Sequence, residues 1–281
     1  MFYHYEFYQS QRIDLMRWLI PLCCGWLVLF YLPQESFGVK AIPQDVQETQ
    51  EQGNEGVVEF SDWQPSKVPA PVKVYMGRRV AETMHYLGAE WLIRNERERE
   101  ERCSLMLTNL GLRPGQIVCD MGCGNGYYSL PIAKILANRG TVLAVDVQPE
   151  MLVMLRQRME EEGVENIIPI LGSLHHPRLP EGMIDILLMV DVYHEFSHPQ
   201  QMLAEIRKSL KPDGLVVLVE YRAEDRNVPI RPLHKMSKKQ IDKEMTANGF
   251  KLVKEFDRLP WQHMVFYGID NGEQEKKGSQ Q

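Results

Sequence analysis

Ile117-Val118-Cys119-Asp120-Met121-Gly122-Cys123-Gly124-Asn125-Gly126-Tyr127 decides the fold of this chain. It reads as a short apolar strand, an acid near its end, and three glycines at every second position. Glycine has no Cβ and tolerates positive φ, so a turn this rich in it lets a ligand approach the backbone closely. Residues 127–136 are apolar at helical spacing, so the turn opens onto a helix N-terminus with unpaired N–H groups. A carboxylate beside such a loop repels phosphate and accepts hydrogen bonds from hydroxyl or amino groups. The pattern therefore favours a nucleoside-type ligand without phosphate over a Gly-rich turn that holds nothing.

The spacing separates this loop from a dinucleotide site. That fingerprint is G-x-G-x-x-G with pyrophosphate on the helix N-terminus; here the glycines run G-x-G-x-G, and no G-x-x-x-x-G-K-[ST] occurs. A second apolar run, Thr141-Val142-Leu143-Ala144-Val145-Asp146, also ends in an acid, 20 positions after Gly126. An acid there is placed to take hydrogen bonds from ribose hydroxyls, or else caps the next helix, which opens with Gln148-Pro149-Glu150. Asp120 to Gly126 resembles the first motif of class I S-adenosylmethionine-dependent methyltransferases. Asp146-Val147-Gln148-Pro149-Glu150-Met151-Leu152 resembles their second segment. The resemblance implies S-adenosylmethionine as methyl donor, held by Asp120, Gly122, Cys123, Gly124, Asn125 and Gly126. It further implies Asp146 on the ribose and Val147 and Gln148 bordering the adenine.

The chain has 281 residues, 44% apolar and 25% charged, which are globular proportions. Its net charge of −6 argues against nucleic acid as a partner, since such proteins carry a basic stripe. The run Arg94-Asn95-Glu96-Arg97-Glu98-Arg99-Glu100-Glu101-Arg102 is mixed in sign. With Arg94–Glu98, Arg97–Glu101 and Glu98–Arg102 at i,i+4, it reads as a solvated helix face. Of the five cysteines, Cys103, Cys119 and Cys123 fall in the globular part without metal-ligand spacing, so free thiols and no metal are expected.

Residues 18–32 form an uncharged apolar run, at the border between a signal-peptide core and a spanning helix. The expected organisation is a signal peptide or membrane anchor at 1–38, a flexible linker at 39–71, a domain at 72–269 and a polar tail at 270–281. Arg12 and Arg17 precede the run and acids follow it, which places the domain outside the cytoplasm, exported or anchored in the cell envelope or periplasm. The alternative is an anchored domain on the cytoplasmic face, and translation starts at either Met1 or Met16. Membrane contact is expected only through 18–32, and the sequence sets no oligomeric state.

Within the domain, strands are expected at 116–120, 141–145, 167–171, 184–190, 214–220, 250–256 and 262–268, with helices at 127–138, 149–162, 199–211 and 237–248. Alternation of the two predicts a parallel α/β sheet. Only Leu259-Pro260-Trp261 separates the last two strands, which must therefore pair antiparallel. The resemblance, covering about 105–269, implies a Rossmann-like seven-stranded sheet of order 3-2-1-4-5-7-6, strand 7 antiparallel, helices on both faces. Residues 72–112, helical from 75, would form an N-terminal lid.

Ligands in such sheets sit outside the carboxyl ends of the strands. Ser173 ends strand three where the resemblance implies an acid for adenine. Strand four runs into Asp191, Tyr193, His194 and Glu195, which the resemblance turns toward donor and acceptor. Asp191 is a donor ligand or a cap. His194 is the candidate base, its pKa lying near neutrality, or a structural hydrogen-bonding group. Tyr193 borders the acceptor, and Glu195 orients the histidine or caps the next helix. His234 and His263 are further candidates; Arg222 and Arg231 bind an acceptor carboxylate or pair with Glu224 and Asp225. The implied reaction is in-line methyl transfer to a small molecule; the competing reading is a non-catalytic donor-binding sensor or interaction module.

Overall fold

The computed structural model describes residues 68–272. The 18–32 run, the 1–38 segment, most of the 39–71 linker and all but the start of the 270–281 tail lie outside the described residues. Among the described residues no helix is long and apolar enough to cross a membrane.

The first described segment differs from the expected lid. Strands β1 (Val74–Tyr75) and β2 (Arg78–Arg79) pair antiparallel. Met76 and Gly77 between them both take positive φ, 46° and 99°, the two-residue turn whose twist suits a hairpin. Helical structure begins at residue 86, not 75: a single turn at Tyr86–Gly88, then α1 (Ala89–Leu92), α2 (Arg97–Glu101) and α3 (Cys103–Leu110). Arg102, at φ 53°, separates α2 from α3, and α2 starts only at Arg97, so the charged run is helical over 97–101 alone. Contact with the domain starts before residue 72, since the Pro69 carbonyl accepts from His198 Nε2 at 2.8 Å.

The sheet follows the expected alternation. β3 (Ile117–Met121), α4 (Ser129–Leu136), β4 (Thr141–Asp146), α5 (Pro149–Glu162) and β5 (Ile167–Leu171) make the first half. β6 (Ile184–Val190), α6 (Pro199–Ser209), β7 (Leu210–Tyr221), α7 (Lys238–Ala247), β8 (Phe250–Phe256) and β9 (Gln262–Ile269) make the second. The seven strands lie in the order β5-β4-β3-β6-β7-β9-β8, with β9 antiparallel to both neighbours. Counted from β3, this is the 3-2-1-4-5-7-6 order. The Lys211-Pro212-Asp213-Gly214 turn lies inside β7, where the register with β6 jumps from Ile184↔Leu210 to Ile186↔Leu215.

Successive strand residues point to opposite faces, and the apolar strands feed two cores. Val118, Val142, Leu188 and Val219 pack with Met106, Leu130, Leu136 and Leu155 from α3, α4 and α5. Their neighbours Cys119, Leu143, Leu187 and Leu218 pack with Leu203, Ile206, Ile241 and Met245 from α6 and α7. Burial of both faces fixes the strand register, because a one-residue slip would exchange the two cores. The carboxyl ends of β3, β4, β6 and β7 are thereby held side by side.

Candidate functional site

The loop after β3 is stitched to β4: Gly122 N and Cys123 N both donate to the Val145 carbonyl, at 2.8 and 3.0 Å. Two of its glycines are required sterically. Gly122 has φ 70°, and a Cβ there would lie 2.5 Å from Val192 Cγ2; Gly126 has φ 84°, with Leu155 Cδ1 at 2.3 Å. Asp120 is buried and accepts from Ser129 Oγ at 2.6 Å. Burial, only partly offset by that hydrogen bond, pushes its carboxyl up to about 6. Asp146 accepts from Gly124 N and from Gln148 N, both at 2.9 Å, while burial raises its pKa. It thus ties the loop to Gln148, the residue ahead of α5. Cys123 and Asn125 are buried; Asn125 Nδ2 donates to the Ala89 carbonyl, and its Oδ1 has no partner.

Two expected adenine contacts are otherwise engaged. Ser173 Oγ accepts from His176 N at 3.1 Å, closing its own turn. Gln148 holds the segment ahead of α1: its Nε2 donates to the Met84 carbonyl at 2.9 Å, and its Oε1 accepts from Tyr86 N at 2.8 Å. Val147 is half-buried.

The second half lies after β6 and β7. Asp191, at φ 55°, accepts from Gln262 Nε2 at 2.8 Å through Oδ2, while its buried Oδ1 has no partner. Burial, then the carboxylates of Glu101 and Glu220, push its carboxyl well above the usual range. His194 is 2% exposed. Its Nδ1 lies 2.7 Å from Glu220 Oε2 and its Nε2 lies 3.1 Å from His234 Nδ1. Burial lowers its pKa, but the Glu220 charge and hydrogen bond outweigh this and raise it overall. Burial and the neighbouring His194 charge lower that of His234. Burial pushes Glu195 up to about 7.

Several expectations need correction. Glu220, not Glu195, orients the histidine: Glu195 Oε1 is 3.8 Å from Nε2. The adjacent Tyr193 points into the core beneath the sheet, and its hydroxyl donates to Glu244 Oε2 at 2.8 Å, so it is a packing residue. Arg222 is neither an acceptor fork nor paired with Glu224 or Asp225. Its guanidinium donates to the carbonyls of Asp257, Leu259 and Gln262, fastening the β8–β9 turn. His263 is buried with Nε2 unpartnered, 4.0 Å from Glu224 through Nδ1. Arg231 lies exposed ahead of the Pro232–His234 turn.

The charged run is solvated only in part: Asn95, Glu96, Glu98, Arg99 and Arg102 are exposed, but Arg97 and Glu101 are buried. Glu101 is fully buried and accepts from Arg94 Nη2 at 2.6 Å, Arg97 Nε at 2.9 Å and the Tyr221 hydroxyl at 2.9 Å. Arg97 also stacks over the Tyr127 and Tyr128 rings, at 4.2 and 4.9 Å. Of the three expected i,i+4 pairs, Arg97–Glu101 forms an ion pair. Glu98 instead caps Ser104.

One arm reaches both halves. The His194 carbonyl accepts from Ala81 N at 3.1 Å and from Arg78 Nη1 at 2.9 Å, and Arg78 Nε donates to Glu244 at 2.7 Å. Three residues beyond Ala81, Met84 is held by Gln148. The same arm thus touches the histidine turn and the residue that leads from β4 into α5.

Residues 118–214 match the family model described as a methyltransferase domain. A ubiquinone/menaquinone biosynthesis C-methyltransferase of Cupriavidus pinatubonensis is 28% identical over 115 residues, 41% of this chain and 47% of that protein. An uncharacterised 37.1 kDa protein of a Streptomyces fradiae transposon is 35% identical over 117 residues, 42% of this chain and 33% of that protein. The chain thus spans between a third and a half of the length of these curated relatives. A solved S-adenosylmethionine-dependent methyltransferase from Aquifex aeolicus superposes with a TM-score of 0.63 at 22% identity, over 66% of this chain and all of that one. The region from Val118 to Gly214 thus matches a methyltransferase domain, within a fold shared with the Aquifex enzyme. Glu220, His234 and the arm lie outside the matched range.

Proposed function

We propose that this chain transfers the methyl group of S-adenosylmethionine to a small-molecule acceptor by in-line displacement. The observation that carries this reading is the glycine loop pressed against Leu155 and Val192, with Asp120 and Asp146 at the ends of the strands flanking it. The sulfonium donor is already activated, so the protein must align the acceptor, exclude water and take a proton where the acceptor carries one. Asp146 would exchange its backbone donors for ribose hydroxyls, and Asp120 and the loop amides would line the amino-acid side. The S–CH3 bond breaks as the acceptor–CH3 bond forms, and S-adenosylhomocysteine leaves.

His194 is the base in this proposal. With Glu220 accepting from Nδ1–H, the lone pair sits on Nε2. His234 Nδ1 lies 3.1 Å from that Nε2, between it and solvent-exposed residues 231–233. The negative net charge supports a small-molecule acceptor. The match to a tRNA U34 carboxymethyltransferase of Desulfotalea psychrophila, 32% identical over 133 residues, covers only 39% of that protein and carries no substrate over to this chain. An exported or membrane-anchored location, with a cytoplasmic-facing anchor as alternative, remains part of the proposal on the 18–32 run; protease accessibility in intact cells distinguishes the two.

Calorimetry of the full chain with S-adenosylhomocysteine is the test. Binding is expected, weakened at least tenfold by Asp146→Ala. His194→Ala is expected to spare that binding and lower turnover by about 10²–10⁴. Absence of binding to the parent protein would sink the donor assignment; unchanged turnover in His194→Ala would remove the base.

A further inference from the structure

His194 and His234 stand together with Glu195. Among the described residues, one ligand atom from each of the three lies within 4.8 Å of the other two. His194 Nε2 is 3.1 Å from His234 Nδ1 and 3.8 Å from Glu195 Oε1. Two ligands on one tetrahedral zinc ion, at bond lengths of about 2.0–2.1 Å, lie about 3.3 Å apart. The two separations from His194 Nε2 thus already stand near the spacing of one coordination polyhedron, and the third lies within 4.8 Å. The sequence hid this, because His234 is 40 positions from His194 and no motif spacing joins them.

The surroundings match a metal-bound histidine. A ligating imidazole commonly gives its other N–H to a carboxylate, which fixes the ring and strengthens the lone pair. Glu220 holds His194 Nδ1 in that way at 2.7 Å, fully buried. Glu195, Glu220 and Asp191 all act electrostatically on His194, a negative field that stabilises a cation. His234 and Glu195 are only partly buried, so a cation has a way in. Two imidazoles and a carboxylate suit a borderline divalent cation better than magnesium or calcium, which prefer all-oxygen shells.

We propose that His194 Nε2, His234 Nδ1 and Glu195 bind a divalent transition cation of the zinc type, with Glu220 as the supporting carboxylate and the fourth position open to the methyl acceptor. An acceptor hydroxyl or thiol bound there loses its proton to solvent more readily and attacks the methyl group as an alkoxide or thiolate. The cation and a proton compete for the same Nε2 lone pair, so the loaded protein does not use His194 as base. This acceptor role rests on the transfer reading above; cation binding itself does not.

The test is titration of chelator-stripped full-length protein with Zn2+, and with Co2+ as a spectroscopic probe. One ion per chain and a tetrahedral-type cobalt absorption are expected. His234→Ala and Glu195→Gln should each weaken Zn2+ at least tenfold, and Glu220→Gln by about 10–100-fold. S-adenosylhomocysteine binding, measured on the same samples, should stay at the parent value, which shows that each variant is folded. The proposal is overturned if the parent binds no stoichiometric Zn2+, or if these variants bind it as tightly as the parent. Donor binding without Zn2+ would defeat the metal site alone; Zn2+ binding without donor binding would defeat the transfer reading alone.

Discussion

At the scale of the residue, His194 is set by a partner that sequence spacing did not single out. Glu220 holds its Nδ1 from the end of a different strand and shifts its pKa upward against the pull of burial. The base form is the neutral ring, so a raised pKa moves the acid limb of activity to higher pH. In metal-stripped protein, kcat/KM should rise with pH through an apparent pKa above the ordinary value of about 6.5. Glu220→Gln removes the raising charge, and the limb should move to lower pH while kcat falls. A limb that does not move would show that another group titrates. The signal for Glu220 was present: it is an acid ending an apolar strand, the same pattern that marked Asp120 and Asp146. His194 was legible as a candidate because its type titrates near neutrality. His234 could not be tied to it, because only the return of the chain after β7 brings the two rings together.

At the scale of the element, the surprise is the short helix α2. Alternating charge reads as solvated when the partners are assumed to lie on the same helix. Here the break at Arg102 and the aromatic pair Tyr127-Tyr128 turn the run inward, and Tyr221 supplies a hydrogen bond from the sheet. Glu101 therefore pairs with two arginines that are almost fully buried, with side-chain exposures of 10% and 6%, and Glu100 supplies Arg94 with a second carboxylate. Removing one member of such a buried cluster strands the others, at a cost of about 3–5 kcal/mol. Glu101→Gln should lower unfolding stability by that order in denaturant titration. Glu98→Gln, on an exposed carboxylate, should cost about 1 kcal/mol or less. Equal losses would mean that the cluster is not distinct from an ordinary surface pair.

At the scale of the whole molecule, the sheet was the most legible feature. Its strands are apolar runs of the right length between turn signals, and a sheet buried on both faces tolerates little else. Element ends moved by only a few residues, and the short link after Arg258 forced the final antiparallel pair. The hairpin at 74–79 was the least legible, because two-residue strands have no period to read and their turn depends on Met76 entering positive φ.

The arm that begins with that hairpin has a consequence for the order of events. It is fastened to the histidine turn through Ala81 and, three residues on, to Gln148 after β4 through Met84. A donor that displaces the Gln148 clamp must shift the arm, and the shift is felt at His194 before any acceptor arrives. Turnover should therefore be ordered, donor first and acceptor second. A dead-end acceptor analogue should then inhibit competitively against the acceptor and uncompetitively against the donor, since it binds only after the donor. Gln148→Ala, which unclips the arm at one end, should relax this toward random binding; a random pattern already in the parent protein would mean that the two halves fill without regard to each other.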